Sequence, residues 1–232
     1  ATSVPRAAFA WVTKKLMGKV SIPIITSNRI NTPEVAEEVL EAGCADMVSM
    51  ARPFLADPNF MKKAISGNEK TIAPCIACNQ ACLDHTFSGK ISSCLVNPKA
   101  CFETELLSTT ALNKKLVAVV GSGPAGMSAA IEAAERGHQV TLFEKAQVIG
   151  GQLNLAKMVP GKEEFWGLVD WFEEMLKTSG VDVRLGKSVT SIDVIGFDEI
   201  IVATGVTPRD PKIKGQEKNN VLSYAEVLNG SG

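Results

Sequence analysis

The stretch KKLVAVVGSGPAGMSAAIEAAERGHQVTLFEK, residues 114–145, decides the fold class of this chain. An apolar strand pattern runs directly into Gly121-x-Gly123-x-x-Gly126, a helical pattern follows, and a second strand pattern ends at Glu144. This order within about 30 residues is typical of a dinucleotide-binding unit. The glycines allow a tight turn and close approach of the backbone to a pyrophosphate, and we expect Glu144 to accept hydrogen bonds from ribose hydroxyls. The alternative is an ordinary glycine turn that binds nothing.

The sequence after this unit continues the alternation of helix and strand. Residues 163–180, EEFWGLVDWFEEMLKTSG, predict a helix, and VDVRLG and DEIIVATG predict strands. Two further features favour FAD over NAD as the dinucleotide. They are Gly150-Gly151-Gln152, shortly after the acid, and the strand end IIVATGVTPR at residues 200–209.

The region before the cysteines also has an α/β pattern. The runs AAFAWVTKKLMG and TPEVAEEVLEAG predict helices, and IPIIT and ADMVSMA predict strands, which together suggest parallel β/α units. Thr32 before Pro33 is a good helix start, and Gly43 is a good stop. Arg29 and Arg52 follow the two strands, where arginines at the ends of barrel strands can bind a phosphate. Taken alone, such arginines are more often surface or ion-pair residues.

Four of the six cysteines lie in PCIACNQACLDHTFSGKISSC, residues 74–94, with the spacing C-x2-C-x3-C-x11-C. A disulfide framework suits small secreted chains with thin cores, and this chain is larger. Structural zinc normally takes two C-x-x-C knuckles, of which only the first is present. Three thiols within eight residues and a fourth farther along favour a 4Fe–4S cluster, with zinc as the alternative. We expect Cys44 and Cys101 to be buried as small apolar residues.

Composition excludes several classes of function. The chain has 232 residues, of which 45% are hydrophobic and 21% charged, as in globular proteins. Its formal charge of −1 gives no overall electrostatic attraction to nucleic acid or to anionic membranes. No uninterrupted apolar stretch approaches 18 residues, so we expect no membrane span.

The sequence resembles the NADH:flavin oxidoreductase and old-yellow-enzyme group, and within it the bacterial 2,4-dienoyl-CoA reductases. The runs that carry the resemblance include TSNRINTPEVAEEVL, DMVSMARPFLADP, the cysteine segment, GSGPAGMSAAIEAAERGHQVTLF and PGKEEF. It implies an α/β chain with the C-terminal part of an FMN-binding (β/α)8 barrel at residues 1–67. An irregular segment that binds 4Fe–4S would follow at 68–110. The N-terminal portion of a Rossmann-like FAD-binding domain would occupy 111–232.

The resemblance also implies which residues bind each cofactor. The FMN contacts would be Arg29, Ala51 and Arg52. The cluster ligands would be Cys75, Cys78, Cys82 and Cys94. The FAD contacts would be Gly121, Gly123, Pro124, Ala125, Gly126, Glu144, Lys145, Gly151, Gln152, Lys162, Ala203, Thr204 and Gly205.

The activity implied by the resemblance is that of a cytoplasmic enzyme of fatty acid β-oxidation. Electrons would pass from NADP(H) through FAD, 4Fe–4S and FMN to the C=C bond of an unsaturated acyl-CoA. No nucleic acid or membrane partner is implied, and the resemblance does not specify protein partners. The group's catalytic tyrosine and histidine would lie before Ala1 and its nicotinamide domain after Gly232, so we expect a central segment without catalytic residues of its own. The alternatives are an enoate or bile-acid-intermediate reductase, a trimethylamine dehydrogenase-like enzyme, and a non-catalytic zinc-stabilised module.

Overall fold

The computed structural model describes residues 4–230, which form two compact units that divide between Leu107 and Ser108. In the first unit, strands β1 (Ile25–Ser27) and β2 (Met47–Ser49) pair in parallel, with Ile25 opposite Met47. The helices of this unit are α1 (Ala10–Lys14), α2 (Pro33–Glu41), α3 (Arg52–Ala56), α4 (Phe60–Ile65) and α5 (Leu83–Phe87), with a 3-10 turn at Glu69–Thr71. The predicted parallel β/α pattern is confirmed here.

Helix α2 shows how local sequence signals produce the core of the first unit. The Thr32 side chain accepts a hydrogen bond from the Val35 amide at 3.4 Å, and Pro33 occupies the first helical position. Val35 and Val39 are four residues apart and therefore face the same side, where both are buried. Cys44 is buried in the same cluster, as predicted.

Helix α1 is shorter than the pattern over residues 7–18 predicts. Ala7 lies in the left-handed region with φ of 53° and cannot belong to a right-handed helix. Trp11 and Val12 are exposed, at 56% and 42%, so little burial supports a longer helix.

The second unit contains a four-stranded sheet in the order β5-β4-β3-β6, and all of its strand pairs are parallel. Its elements are β3 (Leu116–Val120), α6 (Pro124–Glu135), β4 (Gln139–Phe143), α7 (Leu153–Ala156), α8 (Glu164–Thr178), β5 (Asp182–Arg184), β6 (Glu199–Val202) and α9 (Tyr224–Leu228). The chain first adds β4 and β5 on one side of β3 and then β6 on the other. The order therefore reverses between β3 and β6, and parallel sheets bind ligands at the carboxyl ends of such strands.

The sheet of the second unit is buried beneath α6. Ala118, Val119 and Leu142 have no exposed surface, and Met127 and Ala130 of α6 are likewise fully buried. This packing fixes the amino end of α6 beside the carboxyl end of β3. In the part of the chain that the structure describes, no helix has both the length and the apolar character needed to cross a membrane.

Candidate cofactor sites

The glycine loop, residues 121–126, joins β3 to α6, and two of its glycines are required by packing within the protein. A Cβ atom on Gly126 would lie 1.9 Å from the carbonyl oxygen of Gly121. A Cβ on Gly121 would lie 2.4 Å from the Ala203 oxygen, and Gly121 has a φ of +104° that disfavours other residues. The loop after β3 thus packs tightly on its own backbone and on the residue that follows β6.

Gly123 differs from these two glycines, because a Cβ atom there would meet no protein atom within 4 Å. Its φ of −68° and ψ of 175° suit any residue, so the fold gives no reason for glycine. The open space lies at the amino end of the 12-residue helix α6, where unpaired N–H groups and the helix dipole favour an anion. This cradle fits the pyrophosphate of a dinucleotide, since a side chain at Gly123 would fill it.

Glu144 follows β4 and holds the glycine loop. One oxygen, Oε2, accepts hydrogen bonds from the Ser122 backbone and from the Ser122 hydroxyl, each at 2.8 Å, and Oε1 accepts one from the Ala146 amide at 2.8 Å. Burial raises the pKa of Glu144, but these hydrogen bonds outweigh burial and lower the pKa below its ordinary value. The carboxylate has lone-pair capacity for about one more donor, so a contact with ribose stays a prediction. Ser122, whose side chain is fully buried, carries no signal in the sequence pattern.

The Gly150–Gln152 segment joins the same site. The Gly150 amide donates to the Ser122 carbonyl at 2.9 Å, and a Cβ on Gly151 would lie 3.0 Å from the Gly123 Cα atom. Gln152 donates to the Val206 carbonyl at 3.3 Å. Four segments that are separate in sequence therefore meet at the carboxyl edge of the sheet.

The remaining predicted FAD contacts are spread over several elements of the second unit. Pro124 and Ala125 open α6, and Thr204 lies beside Gly121 at the end of β6. Lys145 is exposed next to Glu144. Lys162 precedes α8, where its ammonium lies 5.5 Å from the centre of the Phe165 ring. Gly205, also exposed, follows Thr204 with a φ of +77°.

In the first unit, the four cysteines of the C-x2-C-x3-C-x11-C pattern line one pocket, here called the cysteine pocket. Its walls include Cys75, Cys78, Cys82 and Cys94. The surrounding loop is irregular, with left-handed φ values of 53° at Ala77 and 63° at Asn79. Cys101 does not line this pocket. The prediction that Cys101 is buried is wrong, because its side chain is exposed.

Among residues 4–230, no group of three or more His, Cys, Asp or Glu side chains could hold a metal ion. A zinc site needs four ligand atoms within about 2.3 Å of one ion, whereas a cubane binds each cysteine through a different iron. Four thiols on the wall of one pocket are a donor set that suits either a 4Fe–4S cluster or a zinc ion.

Burial raises the pKa of the Cys75 and Cys94 thiols. Backbone N–H groups lower these pKa values in part: the Ala77 amide acts on Cys75, and the Asn97 and Val96 amides act on Cys94. Such N–H groups also stabilise thiolates, the form of cysteine that binds metals. Burial outweighs these hydrogen bonds, so the pKa of both thiols lies above the ordinary value for cysteine.

A second pocket of the first unit, here called the arginine pocket, lies at the ends of β1 and β2. It measures about 190 Å³, and its walls include the three predicted FMN contacts, Arg29, Ala51 and Arg52. Asn28 and Arg29 are consecutive residues in the left-handed region, with φ of 85° and 56°. Arg29 is buried, and its Nε donates to the Val4 carbonyl at 2.7 Å. Two arginines at strand ends give the pocket a donor set that fits a phosphate.

The two pockets of the first unit share residues, since Arg52 and Cys75 line both. The Arg52 Nη1 donates to the Asn79 side-chain oxygen at 2.5 Å, across 27 residues of sequence. The Asn31 side-chain amide donates to the Cys75 carbonyl at 3.2 Å. No pattern in the sequence signals these two asparagines.

Further hydrogen bonds between residues distant in sequence stabilise the segments on either side of the cysteine loop, which comprises residues 75–94. Asp57 is buried and accepts hydrogen bonds from the Ala73 amide at 2.9 Å and from Lys63 Nζ at 2.6 Å. On the other side of the loop, Asn97 donates to the Leu55 carbonyl at 2.9 Å. The segments before Cys75 and after Cys94 are thus anchored to the region of α3 and α4.

Comparison with known proteins agrees with the division into two kinds of domain. Residues 1–71 match the NADH:flavin oxidoreductase / NADH oxidase family, and residues 115–229 match the pyridine nucleotide-disulphide oxidoreductase family. Two different family models thus match the chain, one in each of its two units. FMN, FAD and NAD(P) are the cofactors that these domain types indicate, and an iron–sulfur cluster is typical of this class of enzyme.

Curated relatives match along nearly the whole chain. A metal reductase from Desulforamulus reducens is 40% identical over 98% of this chain, and an NADH oxidase from Thermoanaerobacter brockii is 42% identical over 95%. The structure of a 2-naphthoyl-CoA reductase in complex with 2-naphthoyl-CoA covers the whole chain with a TM-score of 0.95 and 31% identity. This chain covers 35% of the length of both relatives and 36% of that structure.

Proposed function

We propose that this chain is the electron-transfer segment of an iron–sulfur flavoprotein. The enzyme would take electrons from NADPH and reduce a C=C bond of an unsaturated acyl-CoA, such as a 2,4-dienoyl-CoA in β-oxidation. The observation that carries the proposal is the cysteine pocket, which four cysteines line and which shares Arg52 and Cys75 with the arginine pocket. Cofactors bound in these two pockets would be neighbours, as electron transfer requires.

The chain's own residues have distinct tasks under this proposal. Gly123 and the amino end of α6 would bind the FAD pyrophosphate, and the Arg29 and Arg52 side chains would bind the FMN phosphate. The four thiols of the cysteine pocket would ligate a 4Fe–4S cluster. When bound, FAD supplies hydride acceptance, the cluster supplies one-electron transfer, and FMN supplies reduction of the alkene.

The substrate class is supported by the 2-naphthoyl-CoA reductase, whose structure holds an aromatic acyl-CoA. Steady-state turnover of the protein at its full natural length on 2,4-dienoyl-CoA, on free enoates and on trimethylamine tests this part. We expect the thioester to be reduced fastest with NADPH as donor. Faster turnover of enoates or of the amine would assign the enzyme to one of those classes instead.

The ligand set is tested by iron analysis after anaerobic reconstitution. Protein with the native sequence should contain about four irons and four acid-labile sulfides per chain and absorb broadly in the visible range. Cys94→Ala should lose most of this iron, because it removes one ligand of the proposed cubane. The matched control is Cys101→Ser, which changes an exposed thiol outside the cysteine pocket and should retain the iron.

Two outcomes would contradict the assignment. One zinc per chain with no colour would favour a zinc-stabilised module without catalytic function. Loss of the cluster in Cys101→Ser alone would show that the ligands have been assigned incorrectly.

A further inference from the structure

Arg52 occupies an unusual position, because it lines both the arginine pocket and the cysteine pocket. Its guanidinium has five N–H donors in a rigid fork, of which one, on Nη1, binds the Asn79 side chain at 2.5 Å. The other donors are available to an anion in the arginine pocket. One side chain therefore contacts the cysteine loop and faces the proposed phosphate position.

Asn79 is the acceptor in this hydrogen bond from Arg52. It lies between Cys78 and Cys82 in the left-handed region, with φ of 63°, which asparagine tolerates better than most residues. Its backbone carbonyl accepts a hydrogen bond from the Asp84 amide at 3.0 Å, which joins the loop to the start of α5. A change in the position of Arg52 would thus act on the part of the cysteine loop that carries three of the four thiols.

A second hydrogen bond also joins the arginine pocket to the cysteine loop. Asn31 lines the arginine pocket, and its side-chain amide donates to the Cys75 carbonyl at 3.2 Å. Asn31 follows Arg29 in the loop after β1, while Arg52 begins α3 after β2. Both loops that form the arginine pocket are therefore bonded to the cysteine loop.

We propose that the Arg52–Asn79 contact couples the two pockets, so that FMN binding stabilises the cysteine loop and an intact cysteine loop strengthens FMN binding. This inference rests on the proposed function. A phosphate fixes the Arg52 guanidinium, and a fixed guanidinium restricts Asn79; in the reverse direction, Asn79 orients Arg52 before the phosphate arrives. Coupling of this kind is reciprocal, so each ligand changes the affinity for the other by the same factor.

The first experiment measures FMN affinity by flavin fluorescence in the protein at its full natural length, with iron content determined on the same samples. Asn79→Gly removes the acceptor for Arg52 and keeps a backbone that suits φ of 63°. We expect its FMN dissociation constant to rise about fivefold, the lower end of typical coupling. Asn79→Asp retains an acceptor and should restore most of the affinity.

The matched control is Cys101→Gly, which places a glycine at another left-handed position of the same unit, exposed and outside the cysteine pocket. Its FMN affinity should stay within about twofold of the parent value. Equal FMN affinities in the parent protein and in Asn79→Gly would overturn the coupling and leave the proposed function standing. A parent protein that binds no FMN would overturn both.

The second experiment can be decided on the parent protein alone, with Asn79→Gly as a comparison. The cluster of the parent protein is exposed to an iron chelator with and without saturating FMN, and loss of visible absorbance is followed. FMN should prolong the lifetime of the cluster in the parent protein and have little effect in Asn79→Gly. A lifetime that does not depend on FMN in the parent protein would overturn the proposal.

Discussion

The glycine loop of the second unit and the cysteine loop of the first unit both lie beside parallel strands, but different interactions hold them. The glycine loop is held by close backbone packing, as at Gly121 and Gly126, and by a single carboxylate, Glu144, that follows the neighbouring strand. Its residues come from a regular strand–helix–strand unit. The glycine loop therefore requires mainly that Gly121 and Gly126 carry no side chain.

The cysteine loop depends instead on polar side chains that reach it from distant positions. Arg52, Asn31, Asp57 and Asn97 each form a hydrogen bond across 16 to 44 residues of sequence. We conclude that the glycine loop is most sensitive to added atoms and the cysteine loop to the removal of polar ones. Three changes test this difference.

The largest effect is expected from Gly126→Ala. The added Cβ would lie 1.9 Å from the Gly121 oxygen, so the backbone between β3 and α6 must move. We expect the second unit to lose more than about 3 kcal/mol of unfolding free energy, which denaturant titration followed by circular dichroism measures.

Gly123→Ala is the matched control, because its Cβ meets no protein atom within 4 Å. The melting temperature should change by less than about 2 °C, while retention of FAD should fall about tenfold. Equal stability of the two alanine variants would show that backbone packing does not hold the glycine loop.

The intermediate effect is expected from Asp57→Asn in the first unit. The Asp57 carboxylate receives donors on both oxygens, from the Asn59 amide, the Ala73 amide and Lys63. An amide of the same shape turns an NH2 group toward one of these donors in either orientation. We expect a loss of about 2–3 kcal/mol in the unfolding of the first unit, together with lower iron content.

Glu69→Gln is the control for Asp57→Asn, since Glu69 is an exposed acid of the same unit. Its unfolding free energy and iron content should equal those of the parent protein. A similar loss of iron in both variants would mean that general charge, and not the bond to Ala73, supports the cysteine loop.

The smallest effect is expected from Glu144→Gln and depends on pH. The folded pKa of Glu144 lies below its ordinary value of 4.5, so the ionised group stabilises the fold above that pH. This contribution is lost as pH falls through the folded pKa. Glu144→Gln should therefore be less stable by about 1.5 kcal/mol at pH 7, and the difference should shrink in acid.

Urea titrations of the parent protein and Glu144→Gln at pH 7 and at acidic pH measure this change. A difference that grew toward low pH would contradict the lowered pKa. Such a result would also remove the carboxylate as the support of the glycine loop.

The candidate FAD site could be largely predicted from the sequence. Gly121, Gly123 and Gly126 lie within six residues, and the acid that holds them closes the next strand of the same unit. The strand, turn and helix of such a unit follow one another directly along the chain. The spacing of the residues alone therefore identifies those that form the site. Ser122 could not be predicted, because any residue at that place satisfies the pattern. Only the folded structure shows that its buried hydroxyl binds Glu144.

The sequence by itself determined the features that depend on neighbouring residues, which are the periodicity of the elements, the cap at Thr32, and the short spacing of Cys75, Cys78 and Cys82. Only the tertiary structure decided that Arg52 and Cys75 line two pockets and that Cys101 is exposed. The physical reason is distance along the chain. A hydrogen bond across 27 or 44 residues forms only when the packing of the whole unit brings its partners together, and no local pattern encodes that packing.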